Sequence, residues 1–537
     1  MSTALGPGAL RTPLASFLVG LAAAVLLAES STPQAQIDDS FITYRYADNL
    51  VDGVGLVWNP GERVEAITNL LWALLVAGLG ALGVTAPLAG HILGVGSGVA
   101  LLVGTYALAR ASLPPQSAWI AALAPWVVLG SPALPYFATS GMETLGFLAL
   151  GIGALAAQAH GRMGLATVLL CLGIVTRPDA GVIAAAVLGV HVLEQGPLRP
   201  RSWAPIAGFV ATVTALTVFR LAYYGSPVPN TFYAKVGGVP VELALGAAGT
   251  YLMEGPGLLL VPALLAVRNG GLRALAPLAA IGGTLLYVVS SGGTAVTFSR
   301  FLSPLLPLLA ALAARTTALA YERGERLAPL WLSCLVGSAA GYLGGPVAIT
   351  AAVTIGAAGS LVAPTGRWAR GRGAPVVLLV AVLAVGLVTP ESRRQKRIEG
   401  NRKFDRALLD ASKRRIVRMH RNGIPAGARV GAAAIGALGY YGDFRVLDLL
   451  GLADRVIARS SDTVQGAVLI GQGHLRSNVD YVFSQRPDAL MIPAEAGADA
   501  MVLTAVRALW EDPRLDQYYV WDRNLEGYRL REKKPRR

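Results

Sequence analysis

Two adjacent carboxylates, Asp38 and Asp39, open the stretch DDSFITYRYADNL and are the first candidates in this chain for acid–base chemistry. Neighbouring side chains in a strand or turn point to different sides, so one can face a cavity while the other is bonded locally. A carboxylate at a lipid–water boundary can carry a raised pKa and serve as a general base. The same pair also fits a solvated acidic loop or the cap of a helix beginning FITYRYADNL.

Three cations could answer those acids. Arg177 lies between two apolar runs in TRPD, followed by Pro178 and Asp179. Arg300 follows a Gly-rich stretch in SSGGTAVTFSRFLSP, and Lys235 ends PVPNTFYAK behind two stiffening prolines. Arginine suits bidentate contact with phosphate, although snorkelling to headgroups describes the same placement. Glu143 ends one loop and begins an apolar run, where it could also favour the helix dipole. With Arg45, Asn59, Glu62, Glu65, Asp179, Asn230 and Tyr233 these residues form a candidate substrate site. Tyr223, Tyr224, Phe232 and Tyr233 also read as an interfacial aromatic belt. A cluster of both signs beside hydrocarbon suits an anionic lipid headgroup and a proton.

What positions these residues is a membrane. The 537 residues are 54% hydrophobic and 15% charged, with a mean hydropathy of +0.53. Soluble domains carry about 25% charged residues. The excess sits in apolar runs between residues 13 and 389, many near the length that crosses hydrocarbon. After residue 390 the composition is that of a soluble domain, so the expected division is 1–390 and 391–537. The net charge of +14 reads as Lys and Arg retained on cytoplasmic loops, not as nucleic-acid binding. Cys171 and Cys334 lie in apolar runs and read as small core residues. The run 13–28 lacks a clean small-residue cleavage site and reads as a retained first helix. The wealth of Ala and Gly fits a GC-rich bacterial genome, hence a bacterial plasma membrane.

Arg11 before the first run puts the N-terminus in the cytoplasm. The outer loop 29–65 then carries seven carboxylates against Arg45 and Arg63. The run 66–83 is expected to lie along the interface, because a crossing there would invert every later loop. Runs at 86–109, 116–134, 144–159, 163–176, 180–193, 203–222, 256–267, 274–290, 302–320, 328–344, 346–362 and 374–389 then alternate, and the inner loops are basic. The candidate residues all fall on the outer side, and 223–255 reads as an outer loop. The last crossing leaves 391–537 outside, although its first residues (Arg393, Arg394, Lys396, Arg397) are strongly basic. That basic helical pattern, 395–421, is suited to anionic headgroups. Strands are expected at 428–435, 444–449 and 488–492, a helix near 497–510, and a disordered tail from Arg529, giving a small α/β domain.

The segment IDDSFITYRYADNLVDGVGLVWNPGERVEAITNLLW (37–72) resembles the first outer loop of GT-C fold glycosyltransferases. The group includes the terminal arabinofuranosyltransferase of mycobacterial cell walls and flagellar motor control proteins. The resemblance continues through TSGMET (139–144), TRPD (176–179), YYGSPVPNTFYAK (223–235) and SRFLSPLLP (299–307). It extends to RVLDLLGLAD (445–454), Gly473-His474 and YVFSQRPD (481–488). It implies a polytopic α-helical GT-C enzyme with a C-terminal extracytoplasmic α/β domain. Such an enzyme would take a polyprenyl-phosphate sugar, with arabinofuranose among the sugars it could carry. It would invert the anomeric centre while moving that sugar to a cell-envelope glycan or glycolipid on the outer face. Carried onto this sequence, Asp38 or Asp39, with Asp38 preferred, is the base. Arg177, Arg300 and Lys235 hold the lipid phosphate, and His474 joins the substrate residues. The run 66–83 matches the interfacial helix of the fold, and the soluble domain would lie over the outer face. No His/Cys ligand pattern is present. An all-oxygen divalent-cation site at Asp38/Asp39 stays open. The alternatives are a transporter of lipid-linked glycans, which should show paired broken helices in two related halves, and a non-catalytic envelope or flagellar assembly factor.

Overall fold

A computed structural model describes residues 11–31, 36–235, 241–291, 297–344, 392–461, 476–493 and 504–531. Helix α1 (Arg11–Glu29) leads into α2 (Asp38–Val51), α3 (Leu70–Gly80) and α4 (Ala86–Arg110). Further helices occupy Thr144–Ala159, Met163–Thr176, Ala180–Gln195, Ala204–Tyr224, Leu275–Ser291, Leu305–Glu322 and Ala328–Gly344. Each falls on an apolar run of the sequence. Among the described residues three helices are long and apolar enough to cross a membrane, or five if each of two bent pairs is one span. The runs at 346–362 and 374–389 lie outside the described residues.

Helix α3 has 11 residues and rises only about 16 Å, half of the roughly 30 Å hydrocarbon thickness. It packs Trp72, Ala73 and Val76 against the first loop and α4. The two bent pairs are Pro115–Gly130 with Ala133–Thr139, at 67°, and Ala244–Met253 with Pro256–Arg268, at 77°. The second corrects the reading of 223–255 as loop throughout: Val241–Met253 is an apolar helix. Its break is built by Gly255, at φ 142°, where a Cβ would stand 2.8 Å from the carbonyl oxygen of Ser338. Only glycine fits both the dihedral and the space.

The C-terminal region begins with a basic helix, Arg393–Arg421, and continues into a five-stranded sheet of order β2-β1-β3-β5-β4. Strands β1 (Arg429–Ala432), β2 (Arg445–Asp448) and β3 (Ala489–Met491) are parallel; β4 (Tyr519–Asp522) and β5 (Gly527–Leu530) add an antiparallel edge. Part of the tail expected to be disordered is therefore β5. Alternation divides the strands between two cores. Val430, Val446 and Met491 face one; Leu447 and Leu490 face the other, with Val482 and Leu509. The first of these cores also contains Tyr46, Trp58 and Ile67 of the first loop. The chain changes composition at residue 390, but the hydrophobic core crosses that boundary.

Candidate active site

The centre of the polar cluster is Glu143, buried at the start of helix Thr144–Ala159. It accepts from Arg177 Nη1 at 3.0 Å, Arg300 Nη2 at 2.5 Å and Asn69 Nδ2 at 2.8 Å. Burial works to raise its pKa, but the two guanidiniums and the amide outweigh that and hold it at about 2. Arg177 also forks onto Asp179, with Nε and Nη2 each 2.9 Å from a carboxylate oxygen, and lies between the rings of Phe147 and Phe301. Four chain segments, from the first loop to residue 300, therefore meet at one carboxylate.

Arg300 is presented by strained backbone. Phe298 and Ser299 take φ of 52° and 50°, the left-handed region, at about 1–3 kcal/mol each. Phe298 is held by Tyr136 and Phe137, with Arg397 over its ring. The Nε of Arg300 is buried and has no hydrogen-bond partner among the described residues. Lys235, ending the short helix Asn230–Lys235, likewise makes no ion pair or hydrogen bond there. Burial lowers the Lys235 pKa, Asp39 pulls it back up, and Arg300 and Arg177 push it down. Lys235, Asp39, Arg300, Arg177 and Glu143 thus share one electrostatic field.

The two adjacent aspartates separate. Asp38 accepts from the backbone N–H of Gly436 at 3.0 Å and of Ala437 at 2.8 Å, at the start of the short helix Gly436–Gly442. Burial pushes its pKa up to about 6 against those two bonds. Asp39 is exposed and has no hydrogen-bond partner among the described residues. Among the described residues no group of three or more His, Cys, Asp or Glu could hold a metal ion.

Four of the other candidates sit at the seam between the first loop and the C-terminal sheet. Arg45 donates to Gly439 O at 2.5 Å and Phe444 O at 2.8 Å, over the ring of Trp58. Asn59 pairs with the backbone of Val446 at both its N–H and C=O. Glu62 accepts from Arg445 Nε at 3.0 Å, and Asn230 donates to the carbonyls of Gly451, Leu452 and Asp454. Glu65 is buried against Arg220, whose Nε lies 2.9 and 3.1 Å from its two oxygens. Tyr233 lies under the guanidinium of Arg459. His474 lies outside the described residues. Sequence reasoning passed over Asn69 and Arg220. Arg220 carried a readable signal, a charge inside an apolar run near its end, which marks a buried partner.

Most of the chain matches solved architecture. ArnT from Cupriavidus metallidurans superimposes in the apo state with a TM-score of 0.51, at 13% identity, over 81% of this chain and 85% of that one. The same protein bound to undecaprenyl phosphate gives 0.50 over the same shares. The chain has the GT-C fold. Its curated relatives agree: this GT-C chain is 32% identical over 216 residues to the terminal beta-(1->2)-arabinofuranosyltransferase of Mycobacterium tuberculosis, covering 37% of this chain and 34% of that protein. It is 29% identical over 264 residues to the protein of the same name from Corynebacterium glutamicum, covering 42% and 36%. The GT-C chain thus spans about a third of the length of these relatives. Residues 402–530 match a family described as a domain of unknown function, DUF8728.

Proposed function

We propose that this GT-C protein is an inverting glycosyltransferase. It moves a sugar, of the arabinofuranose type by its relatives, from a polyprenyl-phosphate donor to a cell-envelope glycan or glycolipid. The reaction takes place at the outer face of a bacterial plasma membrane. The observation that carries the reading is the opposition of one free carboxylate, Asp39, to cations with uncommitted donors, Lys235 and Arg300, at the ends of apolar helices.

In this mechanism Asp39 takes the proton of the acceptor hydroxyl as its oxygen attacks the anomeric carbon. The bond from that carbon to the phosphate oxygen breaks, and the electron pair leaves on the phosphate. Lys235 and Arg300 stabilise that growing negative charge, and fixed cations in a dry site are suited to it. Arg177 and Glu143 hold Arg300 in place. Asp38 positions α2 by binding the helix Gly436–Gly442. Single displacement from the opposite side inverts the anomeric centre.

The test is transfer in proteoliposomes from a panel of polyprenyl-phosphate sugars, with product configuration read by NMR. Transfer with inversion from at least one donor is the expected result. Translocation of a lipid-linked glycan without transfer from any donor would overturn the proposal in favour of a transporter.

A further inference from the structure

The basic helix Arg393–Arg421 carries 12 Lys and Arg against three carboxylates, and the function proposed above uses none of its exposed charge. Its first half is pinned across the ends of the apolar helices. Arg394, 0% exposed, forks onto Glu29 at the end of α1 (2.6 and 2.9 Å) and donates to Leu129 O at 3.0 Å. Arg397 pairs with Glu254 at 2.9 Å, and Asp405 accepts from Tyr136 Oη at 2.7 Å. Helix ends along one rim of the bundle thus hold this helix. Helix α1 itself turns Phe17 and Leu27 outward, 58% and 50% exposed, as a lipid-facing helix does.

Between the end of α1 and the basic helix is a cavity of about 590 Å³, lined by Glu29, Pro135, Lys396, Glu399, Arg402 and Lys403 among others. Lys396 and Lys403 are two turns apart on one face, exposed, and without an ion-pair partner among the described residues. Glu29 does not neutralise them, because Arg394 and Gln395 already occupy its oxygens. The Nε of Arg402 is buried without a hydrogen-bond partner among the described residues, and its Nη2 reaches Pro135 O and Thr139 Oγ1 only at 3.4 and 3.3 Å. Gly400 lies between the two lysines, and a Cβ there would meet nothing within 4 Å. Phe404, next to Lys403 in the chain and 56% exposed, adds an aromatic to the helix surface, as interfacial helices do.

We infer that this pocket binds the phosphodiester headgroup of an anionic phospholipid, with Lys396, Lys403 and Arg402 as its donors. Its lining includes neither of the proposed donor-phosphate cations, Lys235 and Arg300. It also accounts for a strongly basic segment where the positive-inside rule would not place one: the charge meets lipid, not a loop count.

The test is a thermal-shift titration of the full-length protein in neutral detergent, with dioctanoyl-phosphatidylglycerol, dioctanoyl-phosphatidylcholine and farnesyl phosphate as separate probes. Phosphatidylglycerol is expected to raise Tm saturably and phosphatidylcholine not to. Each headgroup-level lysine contributes about fivefold, so the Lys396→Gln/Lys403→Gln variant should bind phosphatidylglycerol about 30-fold more weakly. Gly400→Phe, which fills the open space without removing charge, should do the same. Both variants should keep the lipid-free Tm and the wild-type response to farnesyl phosphate. Equal responses to the two phospholipids, or unchanged phosphatidylglycerol binding in both variants, would overturn the inference. So would weakening confined to farnesyl phosphate, which would give the pocket to the sugar donor.

Discussion

Replacing the two neighbouring aspartates one at a time should separate chemistry from architecture. Asp38 accepts two backbone N–H bonds, at 3.0 and 2.8 Å, from the start of the helix Gly436–Gly442. Asparagine keeps one acceptor oxygen and turns the other position into a donor facing an N–H. One bond is lost and a buried N–H is left facing a donor, a loss of about 2 kcal/mol. Over a chain of 537 residues that is a fall in Tm of about 2 °C. Asp39 is exposed and unbonded among the described residues, so Asp39→Asn should change stability by less than about 0.5 kcal/mol. As the general base it should nevertheless lower kcat by about 10²–10⁴-fold. The assay is transfer from a polyprenyl-phosphate sugar in proteoliposomes, beside differential scanning fluorimetry and donor-lipid binding on the same preparations. The reasoning fails if Asp39→Asn retains wild-type kcat. It fails equally if Asp38→Asn abolishes turnover at unchanged Tm, which would make Asp38 the base.

Three further outcomes follow from the geometry. Glu143→Ala leaves Arg300 and Arg177 buried without their shared carboxylate, so unfolding free energy should drop by about 3–5 kcal/mol. Adding Arg300→Met should recover part of that in a thermal melt, because it removes one stranded cation. Gly436→Ala would put a Cβ 1.8 Å from the carbonyl oxygen of Asp38, so the seam must open; faster amide exchange in residues 38–51 is the readout. Burial raises Asp448 to about 7 and Asp38 to about 6, above the ordinary 3.8. The folded state therefore binds more protons between about pH 4 and 7, and these two groups make stability fall as pH rises through that window. Asp448→Asn should flatten that part of the Tm-against-pH profile; an unchanged slope would refute the assignment.

The apolar runs announced the helices because crossing hydrocarbon leaves a length and composition signature that no partner needs to complete. The outer cluster was legible for the same reason: ionisable residues bordering such runs are rare, and Glu143, Arg177 and Arg300 do meet. The sorting of the remaining candidates was not legible. Arg45 and Asn59 have the residue types of a substrate site, but their partners lie 394 and 387 residues away, in a sheet whose docking no local pattern encodes. Asp38 and Asp39 are alike in sequence. What separates them is the N-terminus of a seven-residue helix that meets one carboxylate and not the other. The helix at Val241–Met253 fell inside the stretch 223–255 read as an outer loop; the break at Gly255 makes a bend between two helices rather than the end of a loop.

The bond from Gly436 to Asp38 closes over 398 residues of chain. At roughly 5–20 residues per second of synthesis, the first loop waits about 20–80 s for that partner. During the wait Asp38 and the aromatic face of Tyr46 and Trp58 stand uncovered beside a half-inserted bundle. The sheet that covers them begins only at residue 429. A ribosome stalled before residue 436 would leave α2 without the wall that Gly436–Gly442 provides. Docking of that helix works as a check on delivery of the sheet: α2 gains its second wall only once the segment that begins at residue 436 has been made.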